Sequence, residues 1–208
     1  MKRTALIVTP LVGLVALAGL STTSSNATAS AELNHPGEHF AADTVHSNVM
    51  FMIKHAGVSN FYGRFNNFSG EFNLDPKNPS ESHFNAEIEI DSVDTGNANR
   101  DGHLKGPDFF NVRQFPKATF KSTSVSATGD AGFYELRGEF TLHGVTRPVT
   151  AEVEDLGTSS FSGKAVHAFE AVFTINRSEF GITQYLDSGT LGDEVTIVVA
   201  VEGVKQGG

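Results

Sequence analysis

Four histidines are the side chains in this sequence best suited to chemistry. They are His46, His55, His103 and His143. Imidazole nitrogens ligate zinc, and histidines that are far apart in sequence can converge on one ion. The other explanation is that each ring satisfies a buried backbone group or lies at the end of a strand. The sequence favours this second explanation, and a histidine-based metal binder or metal-dependent enzyme is retained as the alternative.

Other signatures of catalysis are missing from the 208 residues. There is no His-Glu-x-x-His, no Gly-x-Ser-x-Gly, no phosphate-binding glycine loop and no dinucleotide fingerprint. The chain has no cysteine, which excludes a thiol nucleophile, a disulfide, an iron–sulfur cluster and a thiolate zinc site. We therefore predict no catalytic residue, no metal site and no resident cofactor.

The charge balance excludes one class of partner. The chain has 15 basic and 24 acidic side chains and a formal net charge of −9. A nucleic acid backbone would repel such a chain rather than exchange its counterions for basic side chains. At 39% hydrophobic and 19% charged residues, the composition is that of a folded domain and not of a disordered one.

The first 29 residues have the layout of a cleavable Sec-type signal peptide. Lys2 and Arg3 form a basic start, residues 5–20 are largely apolar, and residues 27–29 offer a small-x-small cleavage site. The apolar run is shorter than the roughly 20 residues that span a bilayer. We therefore expect an exported protein, periplasmic or secreted, and no later segment is predicted to cross a membrane.

The rest of the chain is divided by its hydrophobic pattern. Residues 30–42 lack any period, so we predict a leader segment there. Residues 43–204 alternate apolar and polar residues with period two, which indicates half-buried β-strands. A tail of residues 205–208 follows. Eight candidate strands lie at 45–53, 65–74, 84–90, 118–126, 134–142, 149–153, 165–175 and 195–201.

The connections between these segments predict antiparallel order, because they are too short to hold a crossover helix. The exception is residues 95–115, which show no strand alternation. Loops of this length in compact domains are usually functional or contain a helix of their own. We predict one or two helical turns at residues 98–105.

Eight antiparallel strands in one domain predict a closed barrel, because closure removes exposed strand edges. The interior of such a barrel is filled by side chains or holds one small ligand. Small residues on the inward face, such as Gly138 and Ala171, either interdigitate with large ones or leave a hollow. The periodicity leaves both interpretations open.

Seven short motifs, taken in order, resemble the YceI-like family of lipid- and polyisoprenoid-binding periplasmic proteins. The resemblance extends over about residues 40–204. The motifs lie at 43–47, 63–70, 99–104, 108–111, 115–120, 138–146 and 176–181.

The resemblance implies an all-β fold, an eight-stranded antiparallel lipocalin-like barrel with a short helical insertion around residues 98–110. It implies a hollow bore that holds an isoprenoid or other long-chain lipid, of quinone or polyprenyl type, for transport, storage or stress response and not for catalysis. The expected ligand-binding residues of the bore are Val49, Phe51, Ile53, Ile88, Ile90, Phe120, Leu136, Gly138, Phe140, Leu142, Phe169, Ala171, Phe173 and Ile175.

The long connection is expected to cover the open end of the bore as a lid. Its large apolar residues have too little sequence around them to form a core of their own, so they must pack onto the barrel. The alternative is that its phenylalanines plug the barrel as part of the core. The expected residues of the mouth and lid are Arg100, Asp101, His103, Leu104, Phe109 and Phe110.

The partner expected from all of this is a long-chain amphiphile or isoprenoid lipid, and not a nucleic acid. A transient membrane contact and a homodimer are left open by the sequence.

Overall fold

The computed structural model of the chain describes residues 38–207. These residues form eleven strands, one α-helix and three short 3₁₀ helices. The strands are β1 (Phe40–Ala42), β2 (Asn48–His55), β3 (Ser59–Phe65), β4 (Phe68–Asn73), β5 (His83–Glu89), β6 (Val93–Asp94), β7 (Lys117–Ala127), β8 (Phe133–Leu142), β9 (Val145–Phe161), β10 (Lys164–Asn176) and β11 (Leu191–Lys205). The helix is α1 (Ala98–Leu104), and the 3₁₀ helices are Pro79–Glu81, Ile90–Ser92 and Arg177–Phe180.

Eight of these strands close into a ring in the order β1-β4-β5-β7-β8-β9-β10-β11, with β11 paired back to β1. All the strand pairs of the described residues are antiparallel. The predicted eight-stranded antiparallel barrel is therefore confirmed. The predicted helical insertion is also confirmed, because α1 occupies Ala98–Leu104.

The closing strand is one that the sequence did not predict. Phe40 pairs with Lys205 of β11 on one side and with Phe72 of β4 on the other. Residues 40–42 had been assigned to the leader because three residues are too few to show a period of two. The barrel domain thus begins before Asp43, and its last strand runs one residue into the predicted tail.

A hairpin of β2 and β3 extends the sheet beside the ring. β2 pairs with the first part of β11, while β1 pairs with its last part. β3 is not predicted by the sequence because one glycine and several polar residues obscure its alternation. Its Gly63 lies beneath the ring of Phe51, whose Cζ is 2.3 Å from where a Cβ would stand.

On the long strands, the residues that the period of two predicts to face inward are the buried ones. Every second residue of β8, from Tyr134 to Leu142, is buried, and the same holds for β10 from Phe169 to Ile175. These inward faces meet in the middle of the barrel and form most of its hydrophobic core. The barrel interior is therefore apolar along β8 and from Phe169 to Ile175 of β10.

The two ends of the barrel differ in their connections. At the end that we call the β1 end lie β1, the turn between β7 and β8, and the turn between β9 and β10. At the end that we call the α1 end lie α1 and the turns that follow β2 and β8. Asn97 caps α1 by accepting a hydrogen bond from the Arg100 backbone N–H at 3.1 Å, as short polar residues do at helix starts.

No helix within residues 38–207 is long and apolar enough to span a membrane.

Candidate ligand-binding cavity

The barrel encloses a cavity of about 220 Å³. It is larger than the roughly 150 Å³ apolar cavity that stays dry and binds benzene in an engineered protein. Its walls are the inward faces of the ring strands, together with β2, β3 and residues 100–110. The interior is thus hollow and not fully packed, and it has the chemistry to hold an apolar chain.

The predicted bore residues lie on the wall of this cavity, with one exception. The residues in contact with it are Val49, Phe51, Ile53, Ile88, Ile90, Phe120, Leu136, Phe140, Leu142, Phe169, Ala171, Phe173 and Ile175. The strand register brings them together from β2, β5, β7, β8 and β10, and Ile90 comes from the 3₁₀ helix after β5.

The exception is Gly138, which does not line the cavity. A Cβ on Gly138 would lie 2.4 Å from Cζ of Phe120 and 2.6 Å from the carbonyl oxygen of Lys121. The Phe120 ring therefore packs directly on the backbone of Gly138, and Phe120, not Gly138, forms this part of the cavity wall. Of the two interpretations of this small residue, the structure shows interdigitation with a large side chain, and Gly138, expected among the ligand-binding residues of the bore, does not contact the cavity.

The connection after β6 covers part of the cavity at the α1 end. Leu104, Phe109 and Phe110 all contact the cavity, as does Arg100. Phe109 is only 6% exposed, and the Phe110 ring packs on Phe65 with 5.9 Å between centroids. The segment lies where a lid would lie.

Asp101 and His103, the two other predicted mouth residues, do not line the cavity. The Oδ1 atom of Asp101 accepts hydrogen bonds from the backbone N–H and from the hydroxyl of Thr95. Asp101 thereby holds the start of the covering segment in place. His103 lies on the outer side, 3.6 Å from Asp108, with its ring against Phe109. Both residues support the covering segment from outside the cavity.

Three charged residues line the cavity, and two of them are arginines. Arg177 is 4% exposed and donates to the carbonyl oxygens of Ile182, Leu191 and Gly192. Burial lowers the pKa of the Arg177 guanidinium, and the nearby charge of Asp193 opposes this. These hydrogen bonds hold Arg177 to the segment of residues 182–192, and no ion pair to it is found within residues 38–207.

Arg100 lines the cavity from α1 and is exposed. Its guanidinium lies 4.4 Å from the centroid of the Phe61 ring, in a cation–π contact. Its Nε donates to the Thr95 hydroxyl at 2.8 Å and its Nη2 to the Thr95 carbonyl at 2.7 Å. Glu71, the third charged residue, lies towards the β1 end, 3.4 Å from His39, and accepts from the Asn85 side chain.

A hydrogen-bonded histidine–aspartate pair that the sequence did not single out lies at the β1 end. His167 is 3% exposed, and its Nε2 is 2.8 Å from Oδ1 of Asp155. The rings of Phe40 and Phe72 pack edge-on against it. The inward register of His167 on β10 was visible in the sequence, and it was the signal that could have predicted a buried histidine.

The four histidines considered for a metal site do not converge. His46 pairs with Asp43 at the β1 end, while His143, on the turn after β8, is hydrogen bonded through Nδ1 to the carbonyl of Phe180. Within residues 38–207, one group of three ligating side chains lies together, with its ligand atoms within 4.8 Å of one another: Asp43, His46 and Glu202. It contains one histidine and is partly exposed, so the three-histidine alternative has no geometry to support it in the described part of the chain.

A closed antiparallel barrel with an apolar interior cavity defines a class of small-ligand-binding barrels, of which lipocalins are an example. The sequence-family model of the YceI-like domain matches residues 40–203, and the chain belongs to this family. Protein YceI of Salmonella arizonae is 40% identical over 198 residues, which cover 94% of this chain and 97% of the relative. The resemblance found in the seven motifs is confirmed.

Solved structures agree with the fold. BcnA of Burkholderia cenocepacia is 25% identical, with a TM-score of 0.69, and the match covers 77% of this chain and 98% of BcnA. The YceI protein of Campylobacter jejuni is 29% identical, with a TM-score of 0.66 over 74% of this chain and 91% of that one. A polyisoprenoid binding domain from Saccharophagus degradans is 14% identical, with a TM-score of 0.60 over 81% of this chain and 98% of that domain, which shows the fold alone.

Proposed function

We propose that this protein is a binding protein that holds an isoprenoid or other long-chain lipid, of quinone or polyprenyl type, in the barrel cavity. The single observation that carries the proposal is the apolar cavity enclosed by the ring. Burial of each methylene contributes about 0.8 kcal/mol. A tail of ten buried carbons therefore gains about 8 kcal/mol before the costs of ordering are subtracted.

The walls of the cavity favour an apolar ligand over a polar one. Phenylalanine rings line it from several strands, and phenylalanine offers no polar group for hydrogen bonding. The volume of about 220 Å³ lies just below the roughly 300–1,000 Å³ range of small-molecule sites. An apolar tail is the ligand chemistry that such walls accept.

Binding, and not catalysis, is the proposed activity. Ser69 carries the one hydroxyl among the cavity-lining residues, and it has no hydrogen bond to a carboxylate or a histidine within residues 38–207. Glu71 is instead hydrogen bonded to the Asn85 amide, which is not a nucleophile. The solved relative from Saccharophagus degradans is itself described as a polyisoprenoid binding domain, which supports the class of ligand.

Mass spectrometry of an organic extract of the purified protein tests this proposal. We expect one long-chain species at close to one molecule per chain. The proposal fails if the extract contains no such species and the protein also takes up no prenyl lipid from vesicles.

The cellular role proposed with this activity is transport or storage of the lipid, or a stress response, outside the cytoplasm. Residues 1–29, the predicted signal peptide, lie outside the described residues. N-terminal sequencing of the protein from a periplasmic or secreted fraction is expected to begin at Ser30. Recovery of the whole chain in the cytoplasm with Met1 intact would contradict export.

A further inference from the structure

The charges on the cavity wall are unequally satisfied at the two ends. Towards the β1 end, Glu71 has both His39 and Asn85 as partners. At the α1 end, Arg100 and Arg177 line the cavity, and neither forms an ion pair with a carboxylate among residues 38–207. The chain as a whole carries a net negative charge. Two arginines without an ion-pair partner on one side of the cavity are therefore opposite in sign to the charge of the whole chain.

Charged groups on β3, on β6 and next to α1 pair with one another and not with Arg100. Arg64 lies 3.2 Å from Asp94 and Lys105 lies 3.2 Å from Asp91. Asp101, the residue next to Arg100, is linked to it only through Thr95, which donates to the carboxylate and accepts from the guanidinium. The neighbours of Arg100 therefore leave its charge without a direct counterion.

The hydrogen bonds of Arg100 leave one side of the guanidinium available. Nε and Nη2 are directed to Thr95, and Nη1 has no hydrogen-bond partner among the described residues. The guanidinium lies over Phe61, which also lines the cavity. A ligand whose tail contacts Phe61 would bring its polar end within reach of these donors.

We propose that the head group of the bound lipid lies at the α1 end and is a hydrogen-bond acceptor, such as a carboxylate, a phosphate or a quinone carbonyl, held by Arg100. This inference rests on the proposed function. A guanidinium has five N–H donors and no acceptor, and its bonds to charged acceptors are about twice as strong as neutral ones. Arg177 adds a second positive charge at this end. A head group that carries its own cation would meet two like charges and bind worst.

The test uses four compounds that share a geranylgeranyl tail and differ in the head: a phosphate, a benzoquinone, an alcohol and an amine. Calorimetric titration of the full mature chain gives their dissociation constants. We expect the phosphate to bind at least about ten-fold more tightly than the amine, with the quinone closer to the phosphate. Arg100→Gln should reduce this ratio several-fold, to the smaller preference that Arg177 leaves, and Arg100→Lys should retain more of it than Arg100→Gln.

Arg113→Gln is the matched control. Arg113 is an exposed cation in the same connection but does not line the cavity, so the head-group ratio should stay as in the wild type. If Arg100 only supported the fold, its loss would weaken all four compounds alike and leave their ratio unchanged. Equal affinities for all heads, or a ratio kept in Arg100→Gln, would overturn the inference while tail binding still supports the proposed function. If none of the compounds binds, the proposed function fails as well.

Discussion

The β1 end and the α1 end of the barrel differ in how their polar groups are satisfied. At the β1 end, the buried His167 ring is hydrogen bonded to the half-buried Asp155 and packs edge-on against Phe40, so its polar and apolar contacts are both made within the protein. At the α1 end, the exposed Arg100 lines the cavity without a carboxylate partner in the described residues. If the barrel binds a lipid as proposed, this difference assigns stability to the β1 end and access of the ligand to the α1 end.

The largest expected effect is on stability at the β1 end. Phe40 is 1% exposed and stacks on Phe72 with 5.4 Å between centroids. Phe40→Ala should lower the free energy of unfolding by about 3–5 kcal/mol, since it removes a buried ring from the strand that closes the barrel. Urea denaturation measures this. His39→Ala, at the half-exposed neighbour that pairs with Glu71, should cost no more than about 1 kcal/mol. A small loss for Phe40→Ala would show that β1 is not an integral strand.

At the α1 end we expect a smaller loss of stability and a change in ligand release. Phe110 lines the cavity but is only half-buried, so Phe110→Ala should cost about 1–2 kcal/mol. The exchange of bound lipid into acceptor vesicles should become faster, because the cover over the cavity is opened. Phe109→Ala should also speed exchange, with a greater cost in stability, since Phe109 is more deeply buried.

Phe115→Ala is the control for these variants. Phe115 follows the same connection and packs on His143, but it does not line the cavity. Its truncation should leave the exchange rate unchanged. The lid interpretation would be refuted if Phe110→Ala severely destabilised the barrel and lipid release from the remaining folded protein stayed at the wild-type rate.

The smallest effect concerns an exposed pair at the β1 end. The hydrogen bond between His46 and Asp43 raises the pKa of His46 above 6.5 and lowers the pKa of Asp43 below 3.8. The contribution of His46 is present below pH 6.5 and is lost as the pH rises through its folded-state pKa. The contribution of Asp43 is present above pH 3.8 and is lost as the pH falls through its folded-state pKa.

The pair therefore stabilises the fold most between about pH 3.8 and pH 6.5. Melting temperatures of the wild type and His46→Asn across pH should differ most in that window, by a small amount that decreases with salt. A difference that grows above pH 8 would contradict this assignment.

The sequence predicted the parts of this molecule that depend on periodicity. β8 and β10 alternate cleanly, so their inward residues, including Phe140 and Phe173, could be placed on the cavity wall. β1 and β3 could not be predicted, because one is three residues long and the other is interrupted by Gly63. Closure of the ring by Phe40 depends on pairing with strands far away in sequence, which no local pattern contains.

The polar side of the site was harder to predict for a related reason. Arg177 is a single cation after an apolar strand, and its three carbonyl partners lie in residues 182–192. Gly138 could not be placed for a different reason. A small residue in an alternating strand is compatible with open space and equally with a large neighbouring ring. Only the three-dimensional position of Phe120 distinguishes the two.

The central claim is that the cavity holds the lipid, and Ala171→Trp tests it most directly. Ala171 lines the cavity from the middle of β10, so an indole there would occupy the bore. A filled core would lose about 1–3 kcal/mol on such overpacking, whereas a hollow barrel should keep nearly its full melting temperature.

Val172→Trp is the matched control, since the adjacent side chain on β10 points outward and is 36% exposed. The measurement is the amount of lipid per chain in organic extracts of the two folded variants and the wild type. We predict that Ala171→Trp loses the lipid while Val172→Trp retains it. A folded Ala171→Trp that still carries the wild-type amount of lipid would contradict the account.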